Sequence, residues 1–123
     1  MIVLDHTAVV ALCRGHRLLS GLAVVGVEEL AQRAHVPALC LVAAGLELPG
    51  AAGHVGALPG LEFLPLDFAG AAAVEQAVSA GIDWTYAHAV YAAVSGPVDG
   101  HILTATPEAY DGTGVWAVDI GKP

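Results

Sequence analysis

Short apolar runs of β-forming residues alternate along the chain with alanine-rich stretches of helical character, and this alternation constrains the fold more than any other feature. Met1–Leu4 is the first apolar run. Asp5-His6-Thr7 follows as a strand-to-helix turn with good N-cap chemistry, and Ala8–Arg14 reads as a helix. Leu18–Arg33 reads as a second helix, because Leu18, Leu22, Val25, Glu29 and Arg33 recur at helical spacing. His35-Val36-Pro37 interrupts it, and Pro37 suits the first turn of a helix over Ala38–Leu46. Glu47–Gly60 is irregular, punctuated by Pro49, Gly50, Gly53, Gly56, Pro59 and Gly60. Leu61–Asp67 alternates like a strand, with Pro65 favouring its end or a sheet edge. Phe68–Ala80 and Trp84–Ser95 read as helices, the second capped by Asp83. His101–Thr104 is a strand, Pro107–Tyr110 a turn or short helix, and Val115–Ile120 a last strand. Strands separated by helices imply right-handed crossovers and a parallel sheet covered on both faces.

At 123 residues the chain has the length of one domain, so residues 1–123 form a single unit. Apolar residues make up 56% and charged residues 13%, which excludes disorder, since much can be buried and little must be solvated. Only 4 Lys+Arg stand against 12 Asp+Glu, too few bases for a broad cationic surface that neutralises many phosphates. No uncharged run is long enough to cross a bilayer, which takes about 18 residues. The longest, residues 84–98, is broken by Gly96-Pro97 and carries His88. The N-terminus has no basic segment ahead of its apolar residues and an Asp at position 5, unlike a secretion signal. Cys13 and Cys40 sit in apolar surroundings, as expected of small buried residues in a reducing cytoplasm.

In a doubly wound parallel sheet, ligands bind beyond the carboxyl ends of the strands, which here are Asp5, Asp67 and Thr104–Thr106. Asp5 is the most informative of these. Its carboxylate either holds a hard divalent cation or N-caps the first helix together with Thr7. Thr7, Thr104 and Thr106 at the same edge either bind a phosphate or cap helices. His88 is either a hydrogen-bonded structural histidine or a metal ligand or general base beside Asp5. His6 adjoins Asp5 in sequence but points away from it, and His16, His35, His54 and His101 lack metal-site spacing. Trp84, Tyr86 and Tyr91 read as core or dimer contacts rather than base-stacking platforms, and Glu28-Glu29 as a solvated face.

Several segments in register resemble the PIN-domain family. Ile2–Leu12 looks like the opening of these domains, whose first strand ends in an Asp followed one residue later by Ser or Thr. Val36–Leu41 resembles the second strand and helix entry of the bacterial VapC-type toxins, and Phe63–Leu66 their third strand. Ala87–Ala93 resembles their penultimate long helix, and Ile102–Tyr110 their fourth strand with its following loop. The resemblance implies a PIN-like three-layer α/β/α sandwich with a parallel sheet of four or five strands. It also implies RNA cleavage by about four acids converging on Mg²⁺ or Mn²⁺, which activates water and offsets the phosphate's charge.

Only the first of those acids has a match, at Asp5. The second position falls on Val42-Ala43-Ala44, the third on His88 and the fourth on Thr106. The expectation is therefore a degenerate PIN-like protein resembling the toxin half of a VapBC-type pair, without ordinary nuclease activity and without a metal cofactor. It would act as a cytoplasmic homodimer or through an antitoxin-like protein partner. On that reading, replacing Asp5 by Ala changes stability little. The alternative is a Mg²⁺- or Mn²⁺-dependent endoribonuclease with a reorganised site of Asp5, Asp83 or Asp99, and His88, its RNA held by Thr7, Thr104 and Thr106.

Overall fold

A computed structural model describes residues 1–24, 33–96 and 98–121. Twelve elements follow one another. They are β1 (Ile2–Leu4), α1 (His6–Cys13), α2 (Arg17–Val24), β2 (Ala34–Pro37), α3 (Ala38–Glu47), α4 (Ala51–Gly56), β3 (Leu61–Leu64), α5 (Phe68–Ser79), α6 (Trp84–Val94), β4 (His101–Thr104), a 3-10 turn at Pro107–Tyr110, and β5 (Trp116–Asp119). The five strands form one parallel sheet in the order β3-β2-β1-β4-β5, flanked by helices. The α/β fold with a parallel sheet is as the sequence predicts, and its five strands fall within the expected four or five.

Two short stretches depart from the expectation, and a third is described only in part. His35-Val36-Pro37, read residue by residue as a break, belongs to β2, all four residues of which are buried. A central strand covered on both faces carries no alternation to betray it. Glu47–Gly60, read as irregular, holds the single-turn helix α4. Its start is set by the backbone of Gly50, at φ 91°, with no side-chain cap. The helix expected over Leu18–Arg33 is described only as Arg17–Val24; its second half and Glu28-Glu29 lie outside the described residues.

The core is made of small side chains on short elements. Val3, Leu4, Val36 and Ile102 in the central strands have no exposed surface, and Ala87, Ala89, Ala92 and Ala93 form the buried side of α6. Small residues let backbones approach closely. A Cβ built on Gly100 would stand 3.0 Å from Ala93 Cα, and one on Gly60 would stand 2.3 Å from the Leu22 carbonyl oxygen. The Gly60 amide donates to the Ala23 carbonyl at 2.8 Å, so the chain entering β3 is clamped onto α2.

The strand order fixes where a site can form. From β1 the chain steps outward through β2 to β3, then returns to the other side of β1 as β4. Loops above β1 and β4 therefore part in opposite directions and open a crevice at their carboxyl ends. Leu4 pairs with Leu103, and the Asp5 amide donates to the Leu103 carbonyl at 3.4 Å, so Asp5 and Thr104 emerge side by side. Gly60→Ala is expected to destabilise the fold by about 2–3 kcal/mol, since backbone must move to admit the methyl group. Gly21→Ala, on an open helix face, should be neutral or stabilising by up to about 1 kcal/mol. Urea unfolding midpoints of the two variants check this contrast.

Candidate functional site

Asp5 ends β1 with extended backbone and N-caps α1, its Oδ1 accepting from the Ala8 amide at 3.0 Å. The same oxygen accepts from the Thr7 hydroxyl at 2.6 Å. Oδ2 accepts from the Tyr110 hydroxyl at 2.6 Å, reaching across from the 3-10 turn after β4. The residue has no exposed surface. A carboxylate offers about four acceptor positions, and three are taken here by protein donors. Of the two roles open to Asp5 from sequence, the structure displays the cap.

The hydroxyls around Asp5 have one consistent proton arrangement. The Asp5 carboxylate only accepts, so Thr7 must give it a proton. Thr7 Oγ1 then accepts from the Ala105 amide at 2.9 Å, and in its 3.1 Å contact with Thr104 Oγ1 the donor is Thr104. Thr104 accepts from the Thr106 amide at 3.0 Å and, in a weaker 3.4 Å contact, from the Thr106 hydroxyl. Thr106 in turn receives the Tyr86 hydroxyl at 3.0 Å. Every proton in the chain from Tyr86 through Thr106, Thr104 and Thr7 points toward one carboxylate. Burial, and next the Asp5 charge, push the Tyr110 phenol far above its usual range, so it stays a donor. The same two causes, in the same order, raise the Cys40 thiol and favour its protonated form.

The other residues singled out from sequence have separate tasks. Asp83 is exposed and caps α6, accepting from the Thr85 amide and hydroxyl at 3.0 and 2.7 Å; those bonds hold its carboxyl below the usual range. It lines a cavity of about 450 Å³ with Tyr86 and Asp111, while Asp99 lines another beside Trp116. His88 is buried on α6, and its Nδ1 accepts from the Leu39 amide at 3.2 Å. Pro37, the residue before α3, has no side-chain acceptor, so His88 caps that helix from a different element. The ring of His6 packs against Tyr86 at 4.9 Å, and Tyr86 meets Tyr110 edge-on at 5.3 Å. His16 is buried and structural, its Nε2 3.0 Å from the Ile120 carbonyl oxygen.

Asp5, Asp83 and His88 are thus not brought together in a metal-holding set; among the described residues no group of three or more His, Cys, Asp or Glu is so placed. Mg²⁺ or Mn²⁺ needs several free oxygen ligands, and Asp5 offers one enclosed carboxylate ringed by neutral hydroxyls. This donor set does not fit the ion. Thr104 is fully buried and cannot touch RNA, whereas Thr7 and Thr106 both line a cleft of about 500 Å³ with Arg14. Among the described residues no helix is long and apolar enough to cross a membrane. No family model, no curated protein and no solved structure matches the chain.

Tyr86 and Tyr110 carry the site's outer hydroxyls, and sequence reading gave neither that role. Tyr110 is 105 positions from Asp5, and nothing local announces the contact. The expectation that Asp5→Ala leaves stability nearly unchanged does not survive this geometry, because Asp5 joins β1, α1 and the 3-10 turn. Tyr110→Phe is expected to cost about 1.5–3 kcal/mol, since it strips a donor from a buried charge. Equilibrium urea unfolding measures it.

His88 gives a pH signature of known sign. Burial lowers its pKa from the ordinary 6.5, with Asp67 opposing more weakly, so the unfolded chain binds the proton more readily. Its contribution is complete above pH 6.5 and falls away as pH drops from there to the lower folded value. His88→Leu should remove this dependence and cost about 1–3 kcal/mol by orphaning the Leu39 amide. His88→Asn, which keeps an acceptor, should recover part of the loss in the same unfolding series.

Proposed function

We propose that this chain is a degenerate PIN-like domain, similar to the toxin component of a VapBC-type toxin–antitoxin pair, that binds rather than cleaves. The observation that carries this reading is the state of Asp5. Its position at the end of β1, on the switch point of a sheet ordered β3-β2-β1-β4-β5, suits the family's first acid. Its carboxylate is nevertheless enclosed and already accepts three protein hydrogen bonds. The positions of the other acids carry Val42-Ala43-Ala44, a helix-capping His88, and Thr106 in a hydroxyl chain. Metal-activated water has no place in such a centre.

A binding role needs exposed contact residues, and several large apolar side chains are exposed. Phe68 is 91% exposed, Leu46 72% and Trp116 68%. On this reading these exposed side chains are contacts of a homodimer or of an antitoxin-like protein partner.

Titration with Mn²⁺ and incubation with single-stranded RNA test the reading. The expected result is neither saturable binding at millimolar metal nor metal-dependent cleavage. Cleavage that Asp5→Asn abolishes would overturn the proposal and restore the endoribonuclease alternative. Light scattering on the protein alone is expected to report a dimer; a stable monomer would remove the homodimer from the reading.

A further inference from the structure

The cleft of about 500 Å³ beside the switch point is built from three parts of the chain. Thr7, Val10, Ala11 and Arg14 form one wall, at the spacing of a single helix face. Ala105 and Thr106 after β4, with Asp119 and Gly121 at the end of β5, form the other, and Glu47 closes the rim from α3. The volume falls in the range of about 300–1,000 Å³ typical of small-molecule sites.

Its charges are placed for a ligand of mixed sign. Arg14 makes no ion pair among the described residues, although two carboxylates share the cleft with it. Asp119 is held in place by the Gly121 amide, which donates to its Oδ1 at 2.8 Å. Val10 and Ala11 add apolar lining to the same cleft. A phosphate group is poorly served. The start of α1, where an anion would bind, is taken by Asp5, and the Thr7 proton points inward to the same carboxylate. Among the described residues that line the cleft, Arg14 would face a polyanion as the one base, against Glu47 and Asp119.

We infer that this cleft binds a small zwitterion, whose carboxylate pairs with Arg14 and whose ammonium pairs with Glu47 or Asp119. The inference stands on the cleft's own residues and holds whether or not the PIN-like reading does.

Linear ω-amino carboxylates of increasing length serve as rulers for the span between the charges. Amide chemical-shift titrations would use β-alanine, γ-aminobutyrate and ε-aminocaproate, with hexanoate and hexylamine as single-charge controls. At least one ruler should bind, shifting amides of Thr7–Arg14 and Ala105–Thr106, and each control should bind about tenfold more weakly. Arg14→Gln and Glu47→Gln, both at exposed positions, should each weaken the best ruler about fivefold at an unchanged thermal midpoint, with Arg14→Lys recovering part of the loss. No shifts from any ruler at millimolar concentration would overturn the inference. Equal binding by hexanoate, or binding indifferent to Arg14→Gln, would do the same.

Discussion

One buried negative charge organises the carboxyl edge of this sheet. Asp5 has no contact with solvent, and an isolated carboxylate in such surroundings would cost many kcal/mol. The structure offsets that cost with a backbone amide of α1, the hydroxyl of Thr7 and the phenol of Tyr110. Two of these donors belong to the first turn of α1 and the third to the 3-10 turn after β4. Satisfying the charge therefore sets the start of α1, the distance between β1 and β4, and the fold of the turn after β4. The hydroxyls beyond Thr7 extend the same requirement to Thr106 and Tyr86, and through Tyr86 to α6.

The small side chains serve the same end by another route. Strands of three or four residues carry few ladder bonds, so helices must lie close to be useful. Alanines along α6, and glycines at positions 60 and 100, allow that closeness. His88 then caps α3 from α6, which is possible only because the two helices touch.

Much of the frame was legible because its signals are local. The ends of β1 and β4, the helices from Phe68 and Trp84, and the cap residues Asp5 and Asp83 are set by neighbours within about one helical turn. What escaped was decided at a distance. β2 is a buried central strand with no alternation, and α4 is a single turn rich in glycine, whose helical propensity is poor. In the site, Asp5 and Thr7 could be placed from spacing, and the capping alternative for Asp5 was visible there. Tyr110 could not, since its role depends on how the loop after β4 folds back over β1. Asp83 and His88 share a helix with Tyr86, yet each is used as a cap for different backbone, a difference that periodicity cannot express.

The one-way order of the hydroxyl chain bears on how such a centre can change over generations. Removing any one member strands its neighbour: without Thr7 the Ala105 amide and one lone pair of Asp5 lose their partner, and without Tyr110 the other oxygen does. Substitutions here are coupled, and an intermediate with half the network is worse than either end point. Changes within the ring are therefore tolerated only in concert, whereas the residues facing the cleft can vary one at a time.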